Sequence, residues 1–133
     1  MPRIGLQLYT LRTLCAADLQ GVLRSVGELG FSGVELFDLH GHSAAAVRGW
    51  LDDAGLVAAG RHAGLPAFES DLPALAAELR TLGTDRVALA WIEPPENTDQ
   101  ARAAVQRITA VAENARECGL RFGFHNHAGE PGW

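Results

Sequence analysis

Short apolar runs alternate with longer amphipathic ones along the whole chain. Ile4–Tyr9 reads as a strand. Asp18 to Leu29 then carries Leu19, Val22, Leu23, Val26 and Leu29 at helical spacing. Gly33–Phe37 reads as a second strand. Ser43 caps a helix with Val47, Trp50, Leu51 and Ala54 on one side. Val57–His62 is a third strand. Asp71 opens a helix bearing Leu72, Leu75, Leu79 and Leu82. Arg86–Ile92 is a fourth strand. Thr98 opens the longest helix, striped by Val105, Ile108, Ala112, Ala115 and Cys118, and Arg121–His127 is a fifth strand. Each predicted helix ends at a glycine, Gly30, Gly55, Gly83 or Gly119, which accepts the left-handed conformation a helix stop requires. Strict strand–helix alternation predicts one α/β domain over residues 1–133, with five parallel strands, four helices and right-handed crossovers. Either a doubly wound open sheet or a (β/α)8 barrel satisfies this pattern. A whole barrel takes about 250 residues, so this chain would supply a little over half.

In four strands a glycine stands two residues before a polar side chain: Gly5 before Gln7, Gly33 before Glu35, Gly60 before His62 and Gly123 before His125. Alternation puts each glycine on the face of its polar partner. The opposite face would carry Ile4, Leu6, Leu8, Val34, Leu36, Val57, Phe122 and Phe124, which suit packing against helices. The small-residue face would then line the inside of the sheet, with Gln7, Tyr9, Glu35, His62, His125 and His127 near the carboxyl ends of the strands. Parallel α/β folds hold their active sites at that end. His125 and His127 project from one side of a strand and can reach one metal or one substrate. Trp91 follows strand four, and Asn126 separates the two histidines. His40 and His42 flank Gly41 in a loop and read as solvated.

Charge and composition narrow the partners. The 133 residues carry a formal net charge of −5, and all 11 basic residues are arginine, without an evident cluster. Nucleic-acid binders show a basic face, so no nucleic-acid partner is expected. The N-terminus lacks the apolar core of a signal peptide, and no run reaches the ~18 apolar residues of a membrane span. A cytoplasmic protein with no membrane partner is the expectation. Cys15 and Cys118 stand far apart and read as reduced thiols.

The runs IGLQLYTLR (4–12), GVELF (33–37), RHAGL (61–65) and FGFHNH (122–127) resemble the sugar phosphate isomerase/epimerase family of xylose isomerase-like TIM barrels. The likeness spans essentially the whole chain, in order and spacing. It implies a partial (β/α)8 barrel comprising four βα units and strand five. It also implies a small sugar or polyol substrate and a divalent metal, Mn, Mg or Co, that stabilises an enediolate while carboxylates move a proton alpha to a carbonyl. By position, Glu35, His62 and His125 become the catalytic candidates. Gln7, Tyr9, Trp91, Asn126 and His127 become substrate-binding candidates, and His125 the metal candidate, standing where relatives carry a glutamate.

In the family the other ligands come from strands six to eight. One ligand cannot replace an octahedral set around a hard cation, so this chain alone is expected to be inactive, and the metal is expected of the full-length family. It reads as a truncated product, or as a non-catalytic half-barrel or binding module. Its open sheet edges would favour self-association.

Overall fold

The computed structural model describes residues 3–127. Its elements run β1 (Gly5–Gln7), a 3-10 turn (Leu8–Leu11), α1 (Arg12–Glu28), β2 (Gly33–Leu36), α2 (Ala44–Asp53), β3 (Val57–Ala63), α3 (Leu65–Ser70), α4 (Leu72–Leu82), β4 (Arg86–Leu89), α5 (Thr98–Glu117) and β5 (Arg121–Phe124). The strands form one parallel sheet in the order β1-β2-β3-β4-β5. That order is the one a barrel requires, and it excludes the doubly wound alternative. The short α3 is additional to the four helices expected from periodicity.

Local chemistry sets the boundaries. β1 ends early because the Gln7 side chain accepts the Tyr9 N–H and turns the chain into the 3-10 segment. α1 begins before Asp18, which is itself non-helical (φ −156°, ψ 82°). Its carboxylate accepts the Gly21 N–H at 2.9 Å, so Asp18 acts as an N-cap inside a kinked helix. Ser43 and Asp71 cap α2 and α4, accepting from Ala46 N–H and Ala74 N–H. Gly30, Gly55, Gly83 and Gly119 all take positive φ, between 68° and 87°, just beyond their helices.

Both cores lie on the same side of the sheet. Leu19, Leu23, Val34, Leu36, Val47 and Leu51 join α1 and α2 to β2 in the first. Leu75, Leu79, Val87, Leu89, Val111 and Ala115 join α4 and α5 to β4 in the second. Cys15 is buried in the first core, where loss of hydration pushes its thiol pKa up. The α5 stripe runs through Ala104, Ile108, Val111 and Ala115, so Val105, expected in it, is instead exposed.

The other face carries Gly5, Gln7, Gly33, Glu35, Gly60, His62 and Ala88 and is lined by cavities instead of helices. Strand β3 reaches this arrangement through a bulge. Val34 pairs with Ala58 and Glu35 with Gly60, which leaves Ala59 as the extra residue. Val57, assigned to the helix side by simple alternation, therefore pairs with Gly33 on the open face and is 47% exposed. Ile4 also lies outside the core.

Leu79 is fully enclosed in the second core. Leu79→Ala should cost about 2–5 kcal/mol, a large part of a typical 5–15 kcal/mol. Leu14→Ala, at an exposed position, should cost less than about 0.5 kcal/mol. Urea unfolding checks both: the Leu79 variant should show a much lower midpoint at unchanged slope.

Candidate functional site

At the carboxyl end of the open face lies a cavity of about 280 Å³. Gln7, Tyr9, Phe37, His62, Trp91, His125 and His127 line it. Each side chain arrives there for a local reason. Gln7 ends β1, and because its Oε1 holds the Tyr9 N–H, its amide nitrogen is left to donate. The same turn sets the Tyr9 ring edge-on to Phe37, with centroids 5.4 Å apart. His62 lies near the end of β3, in register with Ala88 of β4. His125 follows β5, and its N–H still donates to the Leu89 carbonyl at 3.1 Å, which extends the strand direction past its last paired residue.

The three imidazoles form a row. The His62 and His125 rings are 4.8 Å apart, and the His125 and His127 rings 4.9 Å. Glu35 approaches from below. It pairs in register with Gly60, two residues before His62, and borders an adjoining cavity of about 400 Å³. Its Oε2 lies 3.5 Å from His62 Nε2, beyond a good hydrogen bond. His62 is 6% exposed, and its Nε2 has no hydrogen-bond partner.

Burial is the largest influence on His62 and lowers its pKa, because the charged imidazolium would lose hydration. The Glu35 charge opposes this, while His125 and His127 push in the same direction as burial. His62 is therefore neutral at pH 7, able to accept a proton on one ring nitrogen and donate from the other.

The fold brings Gln7, Tyr9, His62, Trp91, His125 and His127 to one cavity and sets Glu35 beneath it. Asn126 is exposed and is not among the residues that line the cavity. Phe37 was missing from the sequence candidates, although alternation places it on the face of Glu35. His40 is less solvated than its Gly-rich loop suggests. Its ring packs edge-on to Phe37 and its Nε2 is buried, whereas His42 packs on Trp50.

Among the described residues, no three His, Cys, Asp or Glu side chains group so as to hold a metal ion.

The fold and the placement of its polar groups define half of a (β/α)8 barrel with a candidate active site at the carboxyl ends of its strands. No protein-family model matches the chain, and no curated protein matches it in sequence. Solved structures do. A sugar phosphate isomerase/epimerase from Parabacteroides distasonis matches with a TM-score of 0.80 at 23% identity, covering 96% of this chain and 55% of that one. An AP endonuclease of family 2 from Brucella melitensis matches at 0.70 and 14%, covering 93% and 55%. The IolI protein, solved with a bound zinc atom, matches at 0.70 and 13%, covering 92% and 51%. The chain thus spans about half the length of these structures. The resemblance carried by the motifs holds at the level of the fold, and one of these structural relatives holds a metal.

The His62 environment has a measurable consequence. Its imidazole should titrate below the ordinary value of about 6.5. Because the folded pKa is depressed, the unfolded chain binds more protons between the two values, and stability should fall as pH drops through about 6.5 toward the folded value. Histidine ring NMR with Glu35→Gln should show the His62 pKa moving lower still, since a raising influence is removed. An upward move would contradict this electrostatic picture.

Proposed function

We propose that this chain is the N-terminal half of a sugar (phosphate) isomerase/epimerase-like barrel, whose cavity binds a small sugar or polyol and supports proton transfer alpha to its carbonyl. The observation that carries this reading is the buried, neutral His62 backed by Glu35 at the wall of a cavity of substrate size. The Glu35 charge beside the ring favours the imidazolium that forms when His62 takes up a proton. In this scheme, which the remainder of the barrel completes, His62 takes the proton from the carbon next to the carbonyl, and the electron pair moves into an enediolate. The amide of Gln7 and the ring nitrogens of His125 and His127 offer hydrogen bonds to the developing oxyanion. His62 returns the proton to the former carbonyl carbon while the neighbouring hydroxyl's proton passes to the oxyanion, which completes an isomerisation; in an epimerisation a second acid, supplied by the remainder of the barrel, protonates the opposite face of the same carbon and His62 releases its proton to solvent. The rings of Tyr9, Phe37 and Trp91 suit the C–H faces of a sugar.

The metal implied by the resemblance would add Lewis-acid stabilisation of the same oxyanion. The described donors do not form a complete set for it, so no step above depends on it. The non-catalytic binding-module reading differs only in having no turnover.

The test uses the 133-residue chain. Histidine ring resonances are followed by NMR while ketoses, ketose phosphates and polyols are added at millimolar concentration in D₂O. Shifts at His62 and His125 are expected with at least one sugar. Proton exchange should stay at the level of a metal-only control, because general acid–base catalysis contributes about 10²–10⁴-fold and only one carboxylate serves this site. No shift with any member of the panel would overturn the binding claim. Exchange above the control would show that the described residues suffice for catalysis.

A further inference from the structure

The opposite end of the open face holds a second, larger cavity of about 760 Å³, at the amino ends of the strands. Its chemistry differs from that of the histidine site. Arg3, Arg80, Arg86 and Arg121 line it, with Asp85 as the one carboxylate. Asp85 is already taken: its two oxygens accept from Arg121 Nε and Nη2 at 2.9 and 2.8 Å. Five of the 11 arginines pair with carboxylates, namely Arg48, Arg61, Arg102, Arg107 and Arg121. Of the six without a carboxylate partner among the described residues, Arg3, Arg80 and Arg86 border this single cavity. A chain of net charge −5 thus gathers in one concavity half of the arginines that form no salt bridge among the described residues.

The placement of Arg86 is specific. It is the first residue of β4, and its Cβ lies 3.6 Å from where a side chain at Gly60 would begin, so it occupies the open face of the sheet. No salt bridge joins Arg86 to either nearby carboxylate: Glu35 lies 3.5 Å from His62, and Asp85, which feels the Arg86 charge, is bonded to Arg121. Small residues, Gly5 and Gly33 among them, form the wall and leave the space free.

We propose that this cavity is an anion site that takes a phosphate-type dianion, either as the free ion or as a phosphomonoester. Three guanidinium groups match the charge and the planar hydrogen-bonding of a phosphoryl group. The volume admits a small organic group attached to it. The site is separate from the histidine cavity, and its test does not depend on the isomerase/epimerase reading.

Titration calorimetry of the 133-residue chain at low ionic strength, where charge interactions are least screened, provides the test. Inorganic phosphate and glycerol phosphate are the two probes. One saturable site per chain is expected, and the tighter probe identifies the source. Arg86→Gln, and separately the double variant Arg3→Gln with Arg80→Gln, should each weaken binding about tenfold or more, the size of a lost charge-assisted contact. Arg24→Gln and Arg116→Gln remove the same charge elsewhere and should leave binding unchanged. Arg116 also lies in the last turn of a helix, as Arg80 does, so it controls for a cation serving only the helix dipole. Absence of saturable binding would overturn the proposal. So would equal weakening by the control variants, which would show diffuse attraction to net charge. A dimer in sedimentation velocity that depends on Arg86 and persists in phosphate would overturn it too, by showing that a second copy's carboxylates meet these arginines.

Discussion

The candidate site depends on one residue of register. Strand β3 enters the sheet with Val57 on the open face, opposite Gly33. Without a bulge, alternation from Val57 would send Ala59, Arg61 and Ala63 to the open face and turn His62 toward α4. The extra residue at Ala59 reverses the phase. Gly60 and His62 then face the cavity, while Arg61 turns to the helix side, where it meets Glu78 at 2.6 Å. A bulge perturbs the ladder locally, and here it exchanges an arginine for a histidine on the open face at the carboxyl end of the sheet.

The same geometry explains why His62 is neutral. Its neighbours on the open face are the small Gly60 and Ala88 and two further imidazoles, so it gains little compensation for lost hydration. Glu35 is the one nearby opposing charge, and at 3.5 Å it moderates the effect without reversing its direction. A solvated histidine beside a carboxylate would instead titrate above its ordinary value. Burial therefore decides the direction of the shift, and the carboxylate acts on the ring through its charge alone.

Much of this arrangement was legible in the sequence because it rests on period-two and period-3.6 patterns. The capping residues Ser43 and Asp71, the four glycine stops and the shared face of Gln7, Glu35 and His62 follow from spacing, whereas spacing left the strand order open and only the resemblance of the motifs implied a barrel. What escaped follows from features that spacing does not encode. Val57 was misplaced because a bulge leaves no mark in an alternating apolar run. β1 was drawn too long because the Gln7 side chain captures a backbone N–H and bends the chain. Val105 was put in a core stripe because several alanines on α5 permit two adjacent phases, and tertiary contact with Leu79 and Val87 selects the one through Val111. The arginine-lined cavity was illegible for a simpler reason: Arg3, Arg80 and Arg86 are far apart in sequence and meet only through strand pairing.

The two ends of the open face are also distinguished by the backbone. In a βα unit each helix runs back from the carboxyl end of one strand toward the amino end of the next. Helix C-termini, with their partial negative charge, therefore gather at the amino ends of the strands. Cations are favoured there, and Arg80 in the last turn of α4 follows this preference. Helix N-termini gather at the other end, where they disfavour an imidazolium and favour a carboxylate or an enediolate oxyanion. A neutral histidine and a developing negative charge thus suit the carboxyl end, and arginines suit the amino end. The division of chemistry between the two cavities is one that the direction of the chain already imposes.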